Sequence, residues 1–338
     1  MTADKAALIE APWLVADIGG TNARFALARD GGRRLDEVAS VRCADFAGPE
    51  EAVRGYLDDL GVACPCVAAF AVAAPVLADA IHLTNSTWAF SRVSLQRALG
   101  LEEFVVINDF AALAQALPSL QPAHYRVFAG PVPAAGAAMA VLGPGTGLGV
   151  AAIVPSSRGW VVVPGEGGHA TLSASTPFEL EVLQAIRRRF DHVSAERVLS
   201  GMGLPTLYGA VSTLRGEPGA VRDGEEVTRR AIGGEAAAAA TLDMFCALLG
   251  EFAGNVALMF GARGGVFLGG GIVGQLGELF VRSPFRDRFE SKGRFTPWLR
   301  EVATPLIIAP EAALLGAAAA LAVALTRRDE NAYIRPKR

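Results

Sequence analysis

Cysteine is scarce in this chain: four residues, Cys43, Cys64, Cys66 and Cys246, among 338. Four scattered thiols exclude a disulfide framework as the source of stability. Cys64-Pro65-Cys66 lacks the two-residue spacer of zinc and thioredoxin-type pairs, and no histidine stands near it, so plain thiols are expected. A charge excess of either sign is missing too. The 31 basic and 34 acidic residues leave a net charge of −3, and no basic block alternates with aromatics, which argues against nucleic acid as a partner. Residues 1–10 carry Asp4, Lys5 and Glu10 and have no apolar core of signal-peptide length. The one membrane-like stretch, residues 312–325, falls short of the roughly 20 apolar residues of a span. It fits a buried helix with Arg327 and Arg328 at its C-terminal end. No membrane partner is expected, and the cytoplasm is the expected compartment. A Walker A loop is also absent, which excludes the common P-loop design.

What the chain does have is apolar mass and glycine: 51% hydrophobic residues and 38 glycines, enough length for two domains and a large core. Two apolar strands each run into a Gly/Thr turn and out into another strand. The first reads Leu14-Val-Ala16-Asp17-Ile18-Gly19-Gly20-Thr21-Asn22-Ala-Arg-Phe-Ala-Leu27, the second Ala140-Val-Leu-Gly-Pro-Gly145-Thr146-Gly147-Leu-Gly-Val-Ala-Ala-Ile153. Glycines at a hairpin tip permit positive φ and let backbone N–H groups approach a ligand. A row of amides beside a Thr hydroxyl makes an anion-binding concavity. Two such tips suggest two α/β halves presenting turns to one polyphosphate, hence a nucleotide-dependent phosphotransferase. Hydrophobic spacing predicts strands over 14–18, 24–28, 67–72, 103–107, 265–268 and 306–309. It predicts helices over 50–60, 91–99, 110–117, 178–190, 194–199, 227–232 and 236–260. The Pro/Gly-rich stretch 129–136 marks an expected inter-domain crossing.

Three groups of residues carry candidate chemistry. Phe104-Val-Val-Ile107 delivers Asn108-Asp109 to the carboxyl edge of a sheet, where α/β proteins place ligands. A carboxylate there can take the proton of an attacking substrate hydroxyl while the Asn orients that hydroxyl. A plain helix cap is the alternative for Asp109. Glu166 and His169, three apart on a glycine-hinged loop, can reach one small polar molecule together, since a carboxylate accepts hydroxyl protons and imidazole donates or accepts. A metal at that pair lacks an evident third ligand. Glu196 reads as a further polar contact or as an exposed charge in the first turn of a helix. Gly269-Gly270-Gly271-Ile-Val-Gly274 satisfies G-x-G-x-x-G, but a dinucleotide site also needs an acid ending the next strand, about 20 residues on. Residues 282–292 are charged, contain Pro284 and show no strand pattern. The same glycines fit a nucleoside pocket or a tight strand-to-helix turn.

Asp17-Ile-Gly-Gly-Thr-Asn-Ala-Arg, Ile107-Asn-Asp-Phe, Gly143-Pro-Gly-Thr-Gly-Leu-Gly-Val, Pro164-Gly-Glu-Gly-Gly-His, Ser194-Ala-Glu-Arg-Val-Leu-Ser-Gly and Gly269-Gly-Gly-Ile-Val occur in this order. Together they resemble the bacterial glucokinase family, in the group related to hexokinases, over about residues 14–321; Thr84-Asn-Ser-Thr-Trp88 resembles its Thr-Asn-x-x-Trp segment. The resemblance implies an α/β, ribonuclease H-like or actin-like ATPase fold of two α/β domains with a cleft between them. The small domain would comprise residues 1–119 plus 311–338 and the large one residues 120–310. The resemblance also implies ATP-dependent phosphorylation of the D-glucose 6-hydroxyl and a homodimer. Carried over to this chain, it makes Asp109 the general base and Asn108, Asp109, Glu166, His169 and Glu196 the glucose ligands. Ala16, Asp17, Ile18, Gly19, Gly20, Thr21 and Asn22 would form the first phosphate turn, with Asp17 near the magnesium of Mg-ATP. Gly145, Thr146 and Gly147 would form the second, and Gly269, Gly270 and Gly271 would border the adenosine.

The related repressor/kinase proteins often carry a Cys/His zinc motif after the sugar-binding histidine. Residues 170–181 contain no Cys here, so no structural zinc is expected. The family's Gly-Asp after the Pro75 strand is replaced by Leu77-Ala-Asp79-Ala. Residues 327–338 run past the family's usual end with no apolar pattern and are expected to be a disordered tail. Two other functions share the scaffold: a kinase for another hexose, and a sugar-binding regulator, which would have lost the base or a phosphate turn.

Overall fold

The computed structural model describes residues 10–83 and 86–334, the last eight by their backbone alone. The chain divides into two compact units, one made of residues 1–120 and 309–338, the other of residues 121–308.

In the first unit, β1 (Trp13–Ile18), β2 (Asn22–Arg29), β3 (Arg34–Arg42) and α1 (Pro49–Leu60) lead to β4 (Val67–Val72). A small ribbon of β5 (Ala80–His82) and β6 (Ala89–Ser91), then α2 (Arg92–Ala98), β7 (Glu103–Asn108) and α3 (Asp109–Ala116), complete it. The sheet order is β3-β2-β1-β4-β7. The first three strands form an antiparallel meander, while β1, β4 and β7 run parallel. Every residue of Val67–Val72 is buried, as a central parallel strand covered on both faces requires. Leu14, Ala16, Ile18, Phe25 and Phe70 pack on one face with Tyr56 and Trp88. Trp13, Val15, Ala26 and Ala69 point to the other, under Leu314, Ala317 and Leu321 of the C-terminal helix Ala312–Ile334. Gly316 lets that helix lie directly on the Ala112 backbone, where any side chain would collide. Pro49 at the first position and Gly61 in the left-handed region (φ 64°) bound α1.

The second unit repeats the design. Here β8 (Tyr125–Val127), β9 (Met139–Pro144), β10 (Leu148–Ser156) and β11 (Gly159–Gly165) precede α4 (Pro177–Arg187), α5 (Ala195–Val198), α6 (Gly203–Leu214), α7 (Gly224–Ile232) and α8 (Ala236–Phe260). Next come β12 (Gly265–Leu268), α9 (Gly271–Leu276), α10 (Glu278–Val281), α11 (Phe285–Glu290), α12 (Thr296–Arg300) and β13 (Pro305–Ile307). The order β11-β10-β9-β12-β13 matches that of the first sheet strand for strand, with β8 added at the edge.

Several features depart from the sequence reading. The third strand of each meander, β3 and β11, was not legible: β3 is interrupted by Arg34, Asp36 and Glu37, and β11 is a short Trp-Val-Val-Val run between glycines with no alternation to mark it. The C-terminal helix does not stop near residue 325 before a disordered tail. It runs to Ile334, because no proline or glycine interrupts it before Pro336. Residues 312–325 are also not the most membrane-like stretch. Helix α8 is long and apolar enough to span, but 78% of its apolar window is buried within its own unit, as the core helix of that unit. Thr84 and Asn85 lie outside the described residues.

Candidate active site

In the first unit, one sheet edge gathers the candidate residues. The parallel register sets Asp17 opposite Ala71 and Ala71 opposite Ile107, so β1 and β7 finish level, on either side of β4. Asp17 therefore ends one strand where Asn108-Asp109 ends the other. The tip between β1 and β2 closes through a Gly19 N–H donated to the Asn22 carbonyl at 2.9 Å. Its Thr21 carbonyl accepts from the Cys43 amide at 2.8 Å. Ala16 and Ile18 are buried in β1, whereas Thr21 and Asn22 are exposed at the tip. Arg24 lies 3.7 Å from Asp17 and donates to the Pro310 carbonyl at 2.8 Å. Burial pushes the Asp17 carboxyl above its usual range, against the pull of Arg24.

The capping alternative falls to Asn108 rather than Asp109. Asn108 Oδ1 accepts the Phe110 and Ala111 amides at 3.0 and 3.2 Å, which is the N-cap of α3. Its amide nitrogen donates to Asp109 Oδ1 at 2.8 Å and to the Ala74 carbonyl at 3.3 Å. Asp109 Oδ1 also accepts the Phe110 amide at 2.9 Å, so this oxygen is pinned and Oδ2 is the one presented outward from these bonds. Burial, aided by the charge of Asp17, pushes Asp109 up to about 6, while the Phe110 and Asn108 hydrogen bonds pull the other way. A carboxylate with that basicity is suited to accept a proton near neutral pH.

In the second unit, the tip between β9 and β10 is braced from three sides. Gly145 N–H donates to the Gly147 carbonyl at 2.8 Å, closing the turn, and Thr146 is exposed at its crest. The Gly201 amide donates to the Gly145 carbonyl at 2.8 Å. Glu196 Oε2 accepts the Leu148 amide at 2.9 Å and lies so close to Gly147 that a side chain there would collide with it. Gly269 and Gly270 lie on the backbone of Gly143 and Pro144, and Gly270 adopts φ +77°, which favours glycine. The glycine run therefore packs against the phosphate-turn candidate and then opens α9 at Gly271. No strand ending in an acid follows, because residues 285–290 form α11, and this closes the dinucleotide reading.

Glu166 and His169 stand at the two ends of one 3₁₀ turn, whose His169 amide donates to the Glu166 carbonyl at 3.0 Å. Both residues are exposed. The segment after the turn pairs with the segment before α5: the Leu172 amide donates to the Val193 carbonyl at 3.0 Å and the Ala195 amide to the Ala170 carbonyl at 2.8 Å. That pairing carries Glu196 to the same region as Glu166 and His169. The sequence reading missed two supports: Gly201, quoted only within a motif, and Arg24, whose partners come from opposite ends of the chain. Leu77-Ala-Asp79-Ala has a local job. Asp79 accepts from the Ser91 hydroxyl at 2.5 Å and the Val93 amide at 3.0 Å, fixing the start of α2. Among the described residues, no three His, Cys, Asp or Glu side chains group to hold a metal.

Twin sheets of one strand order, each with a glycine tip at its first hairpin, define the actin-like ATPase class of phosphotransferases. Within that class, the chain belongs to the glucokinase family, whose model matches residues 14–324. It is 48% identical over 316 residues to a glucokinase of Aromatoleum aromaticum, covering 93% of this chain and 96% of that one. With a glucokinase of Paramagnetospirillum magneticum the identity is 46% over 308 residues, covering 90% and 96%. Among solved structures, a glucokinase from an Antarctic psychrotroph aligns with a TM-score of 0.84 at 38% identity, covering 92% of this chain and 98% of that one.

Proposed function

We propose that this chain transfers the γ-phosphoryl group of ATP to the 6-hydroxyl of D-glucose, with Asp109 as general base. The observation that carries this reading is the Asp109 carboxylate: it ends a parallel strand, one oxygen is pinned by Asn108 and Phe110, and burial raises it to about 6. Accepting the hydroxyl proton as the phosphoryl group is attacked requires that basicity and that fixed direction. Membership of the glucokinase family supports glucose as the acceptor.

Asn108, Glu166, His169 and Glu196 are the proposed glucose ligands, with carboxylates accepting and imidazole exchanging hydroxyl hydrogen bonds. Asn108 has a second duty, because its amide holds the base in place. The amides of Gly19 to Asn22 and of Gly145 to Gly147 are proposed to take the phosphates, and Gly269 to Gly271 to border the adenosine. Asp17 is the residue that would hold magnesium through its water shell, since Mg²⁺ bridges phosphates and retains waters rather than needing a protein cage. The metal would supply charge neutralisation at the phosphates. A homodimer acting at the entry of glucose into glycolysis in the cytoplasm completes the proposal.

An ATP-coupled assay across glucose, mannose, fructose, N-acetylated hexosamines and acetate tests it. Turnover is expected on glucose, and a preference of tenfold or more for another acceptor would overturn the assignment.

A further inference from the structure

Two buried carboxylates and one half-buried guanidinium lie together in the second unit, outside the residues proposed to touch substrate. Glu179, in the first turn of α4, is 4% exposed, and Glu251, within α8, is 8% exposed. Arg288 of α11 joins them: its Nη1 donates to Glu179 Oε1 at 2.5 Å and its Nη2 donates to Glu251. The further hydrogen bonds of both acids go to one short segment, residues 173–176. Ser173 and Ser175 donate their hydroxyls to Glu251 at 3.2 and 2.5 Å, while the Ser175 and Thr176 amides donate to Glu179 at 2.8 and 3.1 Å. Lys292 lies near enough for the Glu251 charge to act on it, although burial holds its amine below the usual range.

The segment so held begins four residues after His169. Its other neighbour is the pairing of residues 170–172 with residues 193–195, which ends one residue before Glu196. The loop is thus pinned on one side to the Glu196 turn and on the other to a buried ion cluster. A buried ion pair is a weak source of stability, and apolar groups of similar volume often serve as well or better. What fixed charges do provide is a single geometry.

We infer that Arg288, with Glu251 and Glu179, positions the sugar loop: the cluster holds residues 173–176 so that Glu166 and His169 keep a fixed register with Glu196. It sets glucose affinity without touching the sugar. This rests on the reading of Glu166, His169 and Glu196 as glucose ligands.

The double variant Ser173→Ala/Ser175→Ala cuts the hydroxyl ties and leaves the ion pairs in place. The expected result is a rise in the glucose KM of about tenfold, with kcat and the ATP KM within about twofold of wild type. The triple variant Glu179→Gln/Glu251→Gln/Arg288→Met removes the charges at similar volume. It is expected to raise the glucose KM at least as far as the double variant does, with kcat and the ATP KM within about twofold of wild type. Wild-type glucose KM in the folded double variant would overturn the inference, as would glucose and ATP KM values rising together. A wild-type chain that leaves glucose unphosphorylated would instead defeat the functional reading, so the two failures are told apart.

Discussion

Asp109 shows how one residue can carry opposite demands of stability and chemistry. Burial pushes its carboxyl up to about 6, from an ordinary aspartate value of 3.8. For an acid raised on folding, the charged form is the disfavoured one. The cost is absent below the unfolded pKa, grows between about pH 4 and 6, and is fully present above. Replacement by Asn should therefore stabilise the protein at pH 7 by on the order of 2 kcal/mol, with no gain at pH 3.5. Differential scanning calorimetry at the two pH values checks this. The same variant should lose about 10² or more in kcat, the range for a missing general base. In the wild type, kcat/KM should fall as pH drops through 6, one decade per unit, as the base becomes protonated. Glu166→Gln and His169→Ala should chiefly raise the glucose KM and spare the ATP KM. Unchanged glucose KM in both would remove them from the sugar site.

At the scale of elements, each glycine tip functions through what packs behind it. The tip around Gly145 depends on the segment carrying Glu196 and Gly201 and on the Gly269-Gly270 backbone, two segments far apart in sequence. Gly270→Ala meets two obstacles, a φ of +77° and contact with the Pro144 backbone. It should cost roughly 1–3 kcal/mol of stability and raise the ATP KM more than the glucose KM. Thermal unfolding and steady-state kinetics would measure both effects. The elements most readily legible in the sequence were those with strong patterns: the buried strands Trp13–Ile18 and Val67–Val72, and the helix Ala236–Phe260. Edge strands and the short helices between residues 271 and 300 were not, because partial burial blurs their periodicity and their pairing is set by non-local neighbours.

At the scale of the whole molecule, the first unit is discontinuous: the C-terminal helix covers one face of a sheet whose strands all lie before residue 109. Leu321, fully buried under Trp13 and Val15, belongs to that cover. Leu321→Asp should unfold the first unit by burying an unpaired charge, a loss of several kcal/mol. The second unit, continuous from residue 121 to residue 308, should keep its own helical circular dichroism signal. Complete loss of that signal would show that the two units do not fold independently.

Local chemistry settled part of this protein in advance. Glycine runs after apolar strands dictate tight tips, alternating strands and helices dictate an α/β design, and Ile107-Asn-Asp dictates a polar strand end. Such features depend on backbone sterics and hydrophobic spacing, which act within a few residues. Tertiary structure decided that Asn108 rather than Asp109 caps the helix, and how far the Asp109 carboxyl is raised. It also decided which segments brace the second tip and which charged side chains hold residues 173–176. Most of those outcomes depend on desolvation and on contacts between residues tens to more than a hundred positions apart, which no local pattern encodes.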